Sequence, residues 1–447
     1  MSYSEYLYGR GQEITRSINQ DLYALSSMST PAKLGVVGAG LAILLAIKLI
    51  SAAFHRPLSS KSSIPTKAQR SQAMKREFNS VEKGNESVQN LADLKRQGEP
   101  TMEIAQLWVY PIKALRGCQV PTATLTPEGF THDRKFVLLK DLEKTPRQVQ
   151  HMAVTKFPNV CLFHTSIQGN ILTVTYRPPG AAQADGQELK IPLEPPNFDK
   201  SERIEVNMHS SPTIAFDMGA KYNQWFSDIF GFKVILAYWG GNPRQVLGNL
   251  PGKPSNVSSK PRTPIFRILN QVPIISRLLR PDDGVIAFND CAPYLVITEE
   301  STADVTSRLP DGITMDMTKF RANIILRKSP AAFDEDFWGQ LIFGDDTRII
   351  LTGNCGRCVS LNIDYASGTS GAGRDGQVLK LLSSDRRVDP GMKYSPIFGR
   401  YGFVSRRSEG KVLRVGEEVV VGKRNAERTR FCKSSLILLR ATSDSMM

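Results

Sequence analysis

The sequence predicts an α+β protein that is rich in β-structure and has a barrel-like main body. Short apolar runs with many β-branched residues recur along the chain, and turns with Gly, Pro and Asn separate them. Segments with helical spacing are few by comparison. The chain has 447 residues, of which 41% are hydrophobic, so it is long enough for two or three domains with a sizeable core.

The first strands are predicted shortly after residue 100. The segment "EIAQLWVYPIKALRG" predicts an apolar strand that Pro111 stops, and "HDRKFVLLKD" predicts a second strand with charges at its start. The runs "NILTVTY", "RIILTG" and "KVLRVGEEVVVG" have the same β-branched character. Many short strands separated by turns favour a barrel.

Helices are expected only as additions to this β-structure. In "KYNQWFSDIFG" aromatic and aliphatic residues recur at helical spacing before Gly231, which predicts a helix with a buried aromatic stripe. Two further helices are predicted at "STADVTSRL" and "FDEDFWGQL", because both begin near capping or acidic residues.

Residues 34–54 predict an uncleaved transmembrane helix. The segment "LGVVGAGLAILLAIKLISAAF" carries one charge, Lys48, and approaches the roughly 20 apolar residues that a spanning helix needs. A signal peptide is the alternative, but no small-residue cleavage site clearly follows the segment. Basic residues are concentrated after the span, so the positive-inside rule places the large C-terminal part in the cytosol.

Composition divides the chain into seven predicted segments. They are an N-terminal segment (1–33), the transmembrane anchor (34–54), a polar linker (55–100), an N-terminal β-rich domain (102–240), a basic excursion (241–283), a β-barrel domain (284–425) and a C-terminal tail (426–447). The excursion is rich in Pro, Gly and Ser, which is typical of a solvated loop, although its charge also suits an anionic partner.

Charge and cysteine content limit the class of protein. The net charge of +14 favours anionic partners without choosing among them. The six cysteines are irregularly spaced, unlike the dense disulfide framework of small secreted proteins, so a reducing compartment is expected.

A Cys-x-x-Cys pair, Cys355 and Cys358, lies in "TGNCGRCVSLNIDYASG". Structural zinc needs further cysteine or histidine ligands at matching spacing, which the sequence does not offer. A thioredoxin-type pair opens a helix, whereas a strand and a turn are predicted after Cys358. Two interpretations stay open on the residues alone: a buried structural pair, or one metal-ligating thiolate with Gly356 and Arg357 beside an anionic ligand.

Several segments in order resemble the MOSC family, named after the C-terminal domain of molybdenum cofactor sulfurase, and within it the mitochondrial amidoxime-reducing component group. They span roughly residues 102 to 422 and comprise "LWVYPIKALRG", "DRKFVLL", "RPDDGVIAFNDCAPYLVITEESTADVTSRL", "KFRANIIL", "NCGRCVSLNIDYASG", "KYSPIFGRYG" and "VGEEVVV". The resemblance implies a MOSC β-barrel preceded by a MOSC N-terminal β-rich domain.

The resemblance also implies a molybdenum-molybdopterin cofactor, whose metal takes one protein thiolate. By motif position this catalytic and metal-binding residue is Cys358. The implied cofactor-binding residues are Lys113, Arg134, Cys291, Ala292, Arg321, Asn323, Gly356, Arg357 and Tyr401. Cations and forked donors suit the pterin phosphate. Ala114 departs from the family's usual serine, and Cys291 with Ala292 replaces a more polar pair.

The implied activity is the reduction of N-hydroxylated compounds such as amidoximes and hydroxylamines. Electrons are expected to come from outside the chain, because it has neither a Gly-x-Gly-x-x-Gly dinucleotide motif nor a ferredoxin-type cysteine cluster. The resemblance implies cytochrome b5 as the electron donor, reduced in turn by NADH-cytochrome b5 reductase. The resemblance suggests the mitochondrial outer membrane with the catalytic domain in the cytosol, and the endoplasmic reticulum is the alternative. No nucleic-acid partner is expected. A molybdenum cofactor or sulfur carrier and a non-catalytic membrane scaffold are the alternative functions.

Overall fold

The computed structural model describes residues 90–180, 186–242, 244–251, 285–310, 312–344, 346–373 and 375–431. The helices are α1 (Leu91–Arg96), α2 (Ala220–Phe230), α3 (Glu299–Ser307) and α4 (Val378–Ser383). The strands are β1 (Met102–Val109), β2 (Cys118–Val120), β3 (Thr122–Thr126), β4 (Gly129–Phe130), β5 (Phe136–Asp141), β6 (Val149–His151), β7 (Phe163–Gln168), β8 (Ile171–Tyr176), β9 (Gln187–Pro192), β10 (Arg203–Met208), β11 (Ser211–Asp217), β12 (Val234–Tyr238), β13 (Arg244–Gln245), β14 (Val285–Ile286), β15 (Tyr294–Thr298), β16 (Ile324–Arg327), β17 (Trp338–Phe343), β18 (Thr347–Gly356), β19 (Ile363–Asp364), β20 (Thr369–Ser370), β21 (Ile397–Val404), β22 (Val412–Arg414) and β23 (Glu418–Arg424).

The largest sheet closes on itself as a barrel. Its strand order is β16-β15-β21-β18-β17-β23-β1-β2, and β1 pairs in addition with β16. Side chains along β18 alternate between buried and partly buried positions, as a strand with one face in a core requires. The buried face includes Trp338, Leu341 and Phe343 of β17. The β-rich, barrel-like body predicted from the sequence is therefore confirmed.

Strand β1 joins the first and last parts of the described chain. It pairs antiparallel with β16 on one side and with β23 and β2 on the other. The residues that directly follow β1 are therefore brought close to the segment that leads into β16, more than 200 positions later in the chain. This pairing assembles the site described below.

A second barrel-like region contains a five-stranded sheet, β10-β11-β12-β5-β6, and a three-stranded sheet, β7-β8-β9. Helix α2 packs against it. Phe226 of α2 is fully buried, and its ring centroid lies 5.7 Å from that of Phe163 in β7. Trp225 and Phe230 also pack against this core while partly buried. The aromatic stripe predicted for this helix is confirmed as core.

Two local predictions differ from the structure. The segment "FDEDFWGQL" was predicted as a helix, but only Asp334–Phe337 forms a 3₁₀ turn, and Trp338 begins β17. The barrel explains the difference, because burial of Leu341 and Phe343 between β18 and β23 outweighs local helix signals. After Cys358 the chain forms a 3₁₀ turn, Val359–Asn362, before the two-residue strand β19, where the sequence predicted a strand at once.

The helices within the described part of the chain are too short or too polar to cross a bilayer. The predicted N-terminal segment and the predicted anchor at 34–54 lie outside the described residues, as do residues 55–89 of the linker, 252–284 and the tail from 432 onward.

Candidate cofactor site

Two arginines pack against one buried tyrosine ring just after β1. The Cζ atom of Arg134 lies 4.8 Å from the ring centroid of Tyr110, and that of Arg321 lies 4.5 Å away. Contacts of this kind attract a cation to the ring face, and a desolvated one contributes up to about 2 kcal/mol. Tyr110 thus holds two positive groups from distant segments side by side.

Arg134 is fixed by a dense set of hydrogen bonds. Its Nη1 donates to Asp133 Oδ2 over 2.5 Å and to Asn323 Oδ1 over 3.2 Å, while Nη2 donates to the carbonyl of Arg321 over 3.0 Å. Asn323 in turn donates to the carbonyl of Trp108 over 3.2 Å. Burial lowers the pKa of Arg134, but the Asp133 carboxylate beside it more than offsets this and raises it. Arg134 is therefore a permanent, rigid cation.

Arg321 has a donor that lacks a hydrogen-bond partner among the described residues. Its Nη1 donates to the carbonyls of Leu115, over 2.7 Å, and Ala114, over 3.3 Å. Its Nη2 is buried, and no hydrogen-bond acceptor among the described residues reaches it. A buried unsatisfied guanidinium nitrogen costs free energy and calls for an explanation. An anionic ligand with phosphate oxygens supplies the missing acceptor.

Lys113 is a third buried cation at this place. Its Nζ donates to the carbonyl of Phe288 over 2.8 Å and to Asp290 Oδ1 over 2.5 Å. Burial lowers the pKa of Lys113, and Asp290 opposes this effect. The Asp290 side chain is 58% exposed, so solvent reaches its carboxylate. The protein around it still removes part of its hydration, and this desolvation by itself would raise the pKa of Asp290. The charge of Lys113 outweighs that effect and holds the pKa of Asp290 well below its usual range.

The backbone is left-handed at three positions in this cluster. Ala114, Arg134 and Arg321 have φ angles of 75°, 51° and 56°. This conformation is uncommon for residues other than glycine, and it tends to concentrate at binding sites, where surrounding contacts hold it. The three residues are held by the hydrogen bonds described above, so the cation cluster is rigid before any ligand binds.

The two cysteines of the Cys-x-x-Cys pair have different environments. Cys355 is buried, and its thiol donates to the hydroxyl of Tyr401 over 3.2 Å. Burial raises the pKa of the Cys355 thiol and holds that of Tyr401 well above its usual range. Cys358 is exposed, and its Sγ lies 3.2 Å from Ser360 Oγ. Of the two, Cys358 is the thiol that a metal from outside can reach.

Arg357 is turned toward the protein backbone. Its Nε and Nη2 donate to the carbonyl of Phe398 over 2.9 and 2.8 Å, and its Nη1 donates to that of Phe320 over 2.8 Å. The guanidinium therefore ties the Cys358 turn to the segment that carries Arg321. Gly356 also has a packing role, since a Cβ there would lie 2.8 Å from the Met392 sulfur.

Cys291 and Ala292 line the neighbouring segment. Ala292 is buried against Ile286 and Phe403. Burial, together with the Asp290 carboxylate, raises the pKa of the Cys291 thiol to about 12, so this thiol stays protonated at neutral pH.

The structure thus unites most of the predicted site residues. Contacts join Arg134 and Arg321 with Asn323, and Lys113 lies close enough to Arg134 to complete one cation cluster. Arg357 links that cluster to the Cys358 turn. Tyr110 and Asp133 hold this cluster together and were not singled out from the sequence. The sequence could have indicated them by position, because Tyr110 lies in the segment that carries Lys113 and Asp133 directly precedes Arg134. The donor set fits an anionic, phosphate-bearing cofactor with a soft metal that takes one thiolate.

Comparison with known proteins agrees with this chemistry. The MOSC domain model matches residues 283–420, and the MOSC N-terminal beta barrel domain model matches residues 101–233. Mitochondrial amidoxime-reducing component 1 of Danio rerio is 34% identical over 322 residues, which cover 71% of this chain and 83% of that protein. The component 1 of Homo sapiens is 26% identical over 307 residues, covering 67% and 77%, and the human component 2 is 25% identical over 335 residues, covering 73% and 85%.

Proposed function

Since the chain belongs to the MOSC-domain family, we propose that it is a molybdenum cofactor-dependent oxidoreductase that reduces N-hydroxylated compounds such as amidoximes and hydroxylamines. The single observation that carries the proposal is the buried, unpartnered Nη2 of Arg321 within a rigid cluster of cations. The family includes molybdenum cofactor-dependent reductases, and the relatives named amidoxime-reducing components supply the substrate class.

The residues of this chain divide the work of holding the cofactor. Arg321 offers its free nitrogen to the phosphate, while Lys113 and Arg134 supply positive charge from fixed positions. Cys358 supplies the thiolate ligand, and Cys355 stays in the interior as a partner of Tyr401. When bound, the cofactor supplies the two-electron chemistry at the N–O bond, and the protein supplies orientation and electrostatics.

The overall reaction sets what the protein must provide. A hydroxylamine accepts two electrons and two protons and yields an amine and water, as in R–NHOH + 2 e⁻ + 2 H⁺ → R–NH₂ + H₂O. Tyr401 and Cys291 remain protonated at neutral pH because burial raises their pKa values. These two side chains therefore add no charge of their own to the site at neutral pH.

The electron source and the location are part of the same proposal. We propose cytochrome b5, reduced by NADH-cytochrome b5 reductase, as the donor, and a membrane anchor at residues 34–54 on the mitochondrial outer membrane with the catalytic part in the cytosol. The net charge of +14 supports an acidic partner, and a shared membrane raises the effective concentration of both proteins.

The test begins with the metal content of the full-length chain, purified in detergent from a host that makes the cofactor. We expect close to one molybdenum and one pterin per chain, and turnover of an aromatic amidoxime with a chemical reductant. Cofactor without turnover would identify a carrier instead. A folded protein that contains neither metal nor pterin would identify a scaffold, and the proposal would fail.

A further inference from the structure

Two large apolar side chains are exposed near the Cys358 turn. Val359 is 49% exposed and directly follows the thiol, and Tyr394 is 77% exposed. In the described part of the chain, three other large apolar side chains are exposed to a lesser degree, namely Ile171, Ile214 and Val415. Tyrosine is enriched at protein interfaces, because its ring is apolar while its hydroxyl can still hydrogen-bond.

The fold places Tyr394 beside the thiol by packing its loop on the end of β18. The backbone N–H of Arg357 donates to the carbonyl of Pro396 over 2.8 Å. On the same loop, Met392 and Ser395 lie so close to Gly356 that a Cβ there would be 2.8 Å from the Met392 sulfur and 3.3 Å from Ser395 Cβ. Tyr394 therefore extends into solvent from a loop that is fixed next to Cys358.

Four cations are carried by the segments that pack around the Cys358 turn. Lys393 Nζ lies 4.8 Å from the Tyr394 ring centroid. Lys319 belongs to the 3₁₀ turn Met317–Phe320, which contacts the turn Val359–Asn362. Helix α4 carries Lys380 and is tied to the same turn, because Leu379 N–H donates to Asn362 Oδ1 over 3.0 Å. Arg387 follows Arg386, whose carbonyl accepts from Ile397 at the start of β21.

The four cations make no close ion pair within the described part of the chain. Among the described residues, no carboxylate lies within ion-pair distance of Lys319, Lys380, Arg387 or Lys393. The nearby Asp385 is already paired with Arg308 over 2.6 Å. We call Val359, Tyr394 and these four cations the thiol rim. It has an apolar centre and a positive edge.

We propose that the thiol rim is the docking surface for a small electron-carrier protein with an acidic face. The inference rests on the proposed function, which needs two electrons per reaction from outside. Each reaction breaks one N–O bond and consumes two electrons and two protons. A carrier of single electrons therefore docks twice, and two reduced carriers are oxidised per reaction. Val359 directly follows the proposed metal-ligating thiol and the Tyr394 loop packs on the end of β18, so a carrier bound there would lie beside the proposed metal site.

The composition of the thiol rim is typical of an interface for transient electron transfer. Transient redox complexes bury little area and depend on a few anchoring groups, often aromatic, at the centre of the interface. Opposite charges around the edge accelerate association and set the orientation, and their effect falls as salt increases. The thiol rim has both features, whereas Lys113 and Arg134 of the cation cluster are buried.

The first experiment measures binding on the full-length, cofactor-loaded chain in detergent, with purified cytochrome b5 as the probe. We expect the double variant Lys393→Glu/Arg387→Glu to raise the dissociation constant about tenfold at low salt and Tyr394→Ser to raise it several-fold. Lys190→Glu and Val415→Ala are matched controls, since they make the same kinds of change on exposed strand and turn positions elsewhere. Unchanged affinity in the rim variants would overturn the proposal.

The second experiment separates docking from catalysis. With a small reductant such as dithionite-reduced methyl viologen, the same rim variants are expected to keep the wild-type kcat and the KM for the amidoxime. A raised KM for the amidoxime under these conditions would make the rim part of the substrate pocket, and docking would be rejected. If the wild-type protein did not reduce the amidoxime even with this reductant, the proposed function would fail, while the binding measurement would still decide whether the surface docks a carrier.

Discussion

The Cys355 thiol donates a hydrogen bond to the Tyr401 hydroxyl across 3.2 Å, and this contact makes the first cysteine of the pair part of the protein interior. Tyr401 lies on β21, which pairs with β18, so the two residues are held by neighbouring strands. Cys358, three positions later, has left the strand and is exposed. One sequence motif therefore contains two thiols of different character.

The first prediction concerns these two thiols. We expect Cys358→Ser to remove most of the molybdenum and all reductase activity, because a hydroxyl is a poor ligand for a soft metal. Cys355→Ser keeps a hydrogen-bonding group of similar size beside Tyr401 and is expected to retain much of both. Molybdenum per folded chain, measured by mass spectrometry, decides between them. Equal losses in both variants, or loss only in Cys355→Ser, would remove the assignment of Cys358.

The second prediction contrasts two arginines of the site. Arg321→Lys keeps the charge but loses the forked donor, including the nitrogen without a protein partner. Since hydrogen bonds to charged groups contribute about 1.5–3 kcal/mol, cofactor retention should weaken about tenfold or more. The readout is pterin and molybdenum remaining after gel filtration, with circular dichroism as the check on folding.

Arg357→Lys serves as the comparison for that experiment. It removes donors from two buried carbonyls, those of Phe398 and Phe320, so the melting temperature should fall while cofactor per folded chain changes little. A variant that loses cofactor at an unchanged melting temperature would instead place Arg357 in contact with the cofactor, as the family resemblance implies.

The strands were predictable because their apolar alternation is a local property. β5 and β8 appear where the runs "KFVLL" and "ILTVTY" predict them. The helix predicted at "FDEDFWGQL" was wrong, because the decisive force on Trp338 is burial in a barrel that closes through strands from both ends of the described chain. No pattern within nine residues contains that information.

The residues of the candidate site were predictable from the sequence, but the directions of their side chains were not. The family resemblance predicted that Lys113, Arg134 and Arg321 belong to one site, and the contacts with Tyr110 and Asn323 join the two arginines directly. The direction of each guanidinium was not predictable from the residue type. Arg321 keeps one free nitrogen while Arg357 donates only to backbone carbonyls, because tertiary packing decides which acceptors each one meets.

The third prediction concerns the strand that carries Tyr401. Gly399 has a φ of 82°, and a Cβ there would lie 2.7 Å from Ile297 Cγ2 and 2.8 Å from the carbonyl oxygen of Val296. Gly399→Ala should therefore lower the free energy of unfolding by about 3 kcal/mol, from backbone strain and overpacking together. Gly169→Ala is the control, since its φ of 58° is similar but nothing lies within 4 Å of the added atom. Urea denaturation that gave equal losses for both would contradict the role of packing at Gly399.

The fourth prediction concerns pH and a carboxyl far from the solvent. Glu335 is fully buried, its Oε2 accepts from Ser301 Oγ over 2.9 Å, and its Oε1 has no partner among the described residues. Burial, helped by the neighbouring Asp336, raises its pKa to about 7. The folded state thus keeps a proton that the unfolded chain releases near pH 4.5, so stability from this group is complete below about pH 4.5 and falls as the pH rises to about 7.

Replacement of Glu335 by Gln isolates this effect, because the amide keeps an acceptor for Ser301 and cannot ionise. At pH 4.5 the variant should have nearly the stability of the wild type, and above pH 7 it should be more stable, by at most about 3 kcal/mol. The difference between the two melting temperatures, measured across this range, removes the contributions of all other titrating groups that the two proteins share. A constant difference at every pH would mean that Glu335 ionises alike in the folded and unfolded chains, and that its buried environment does not control its proton.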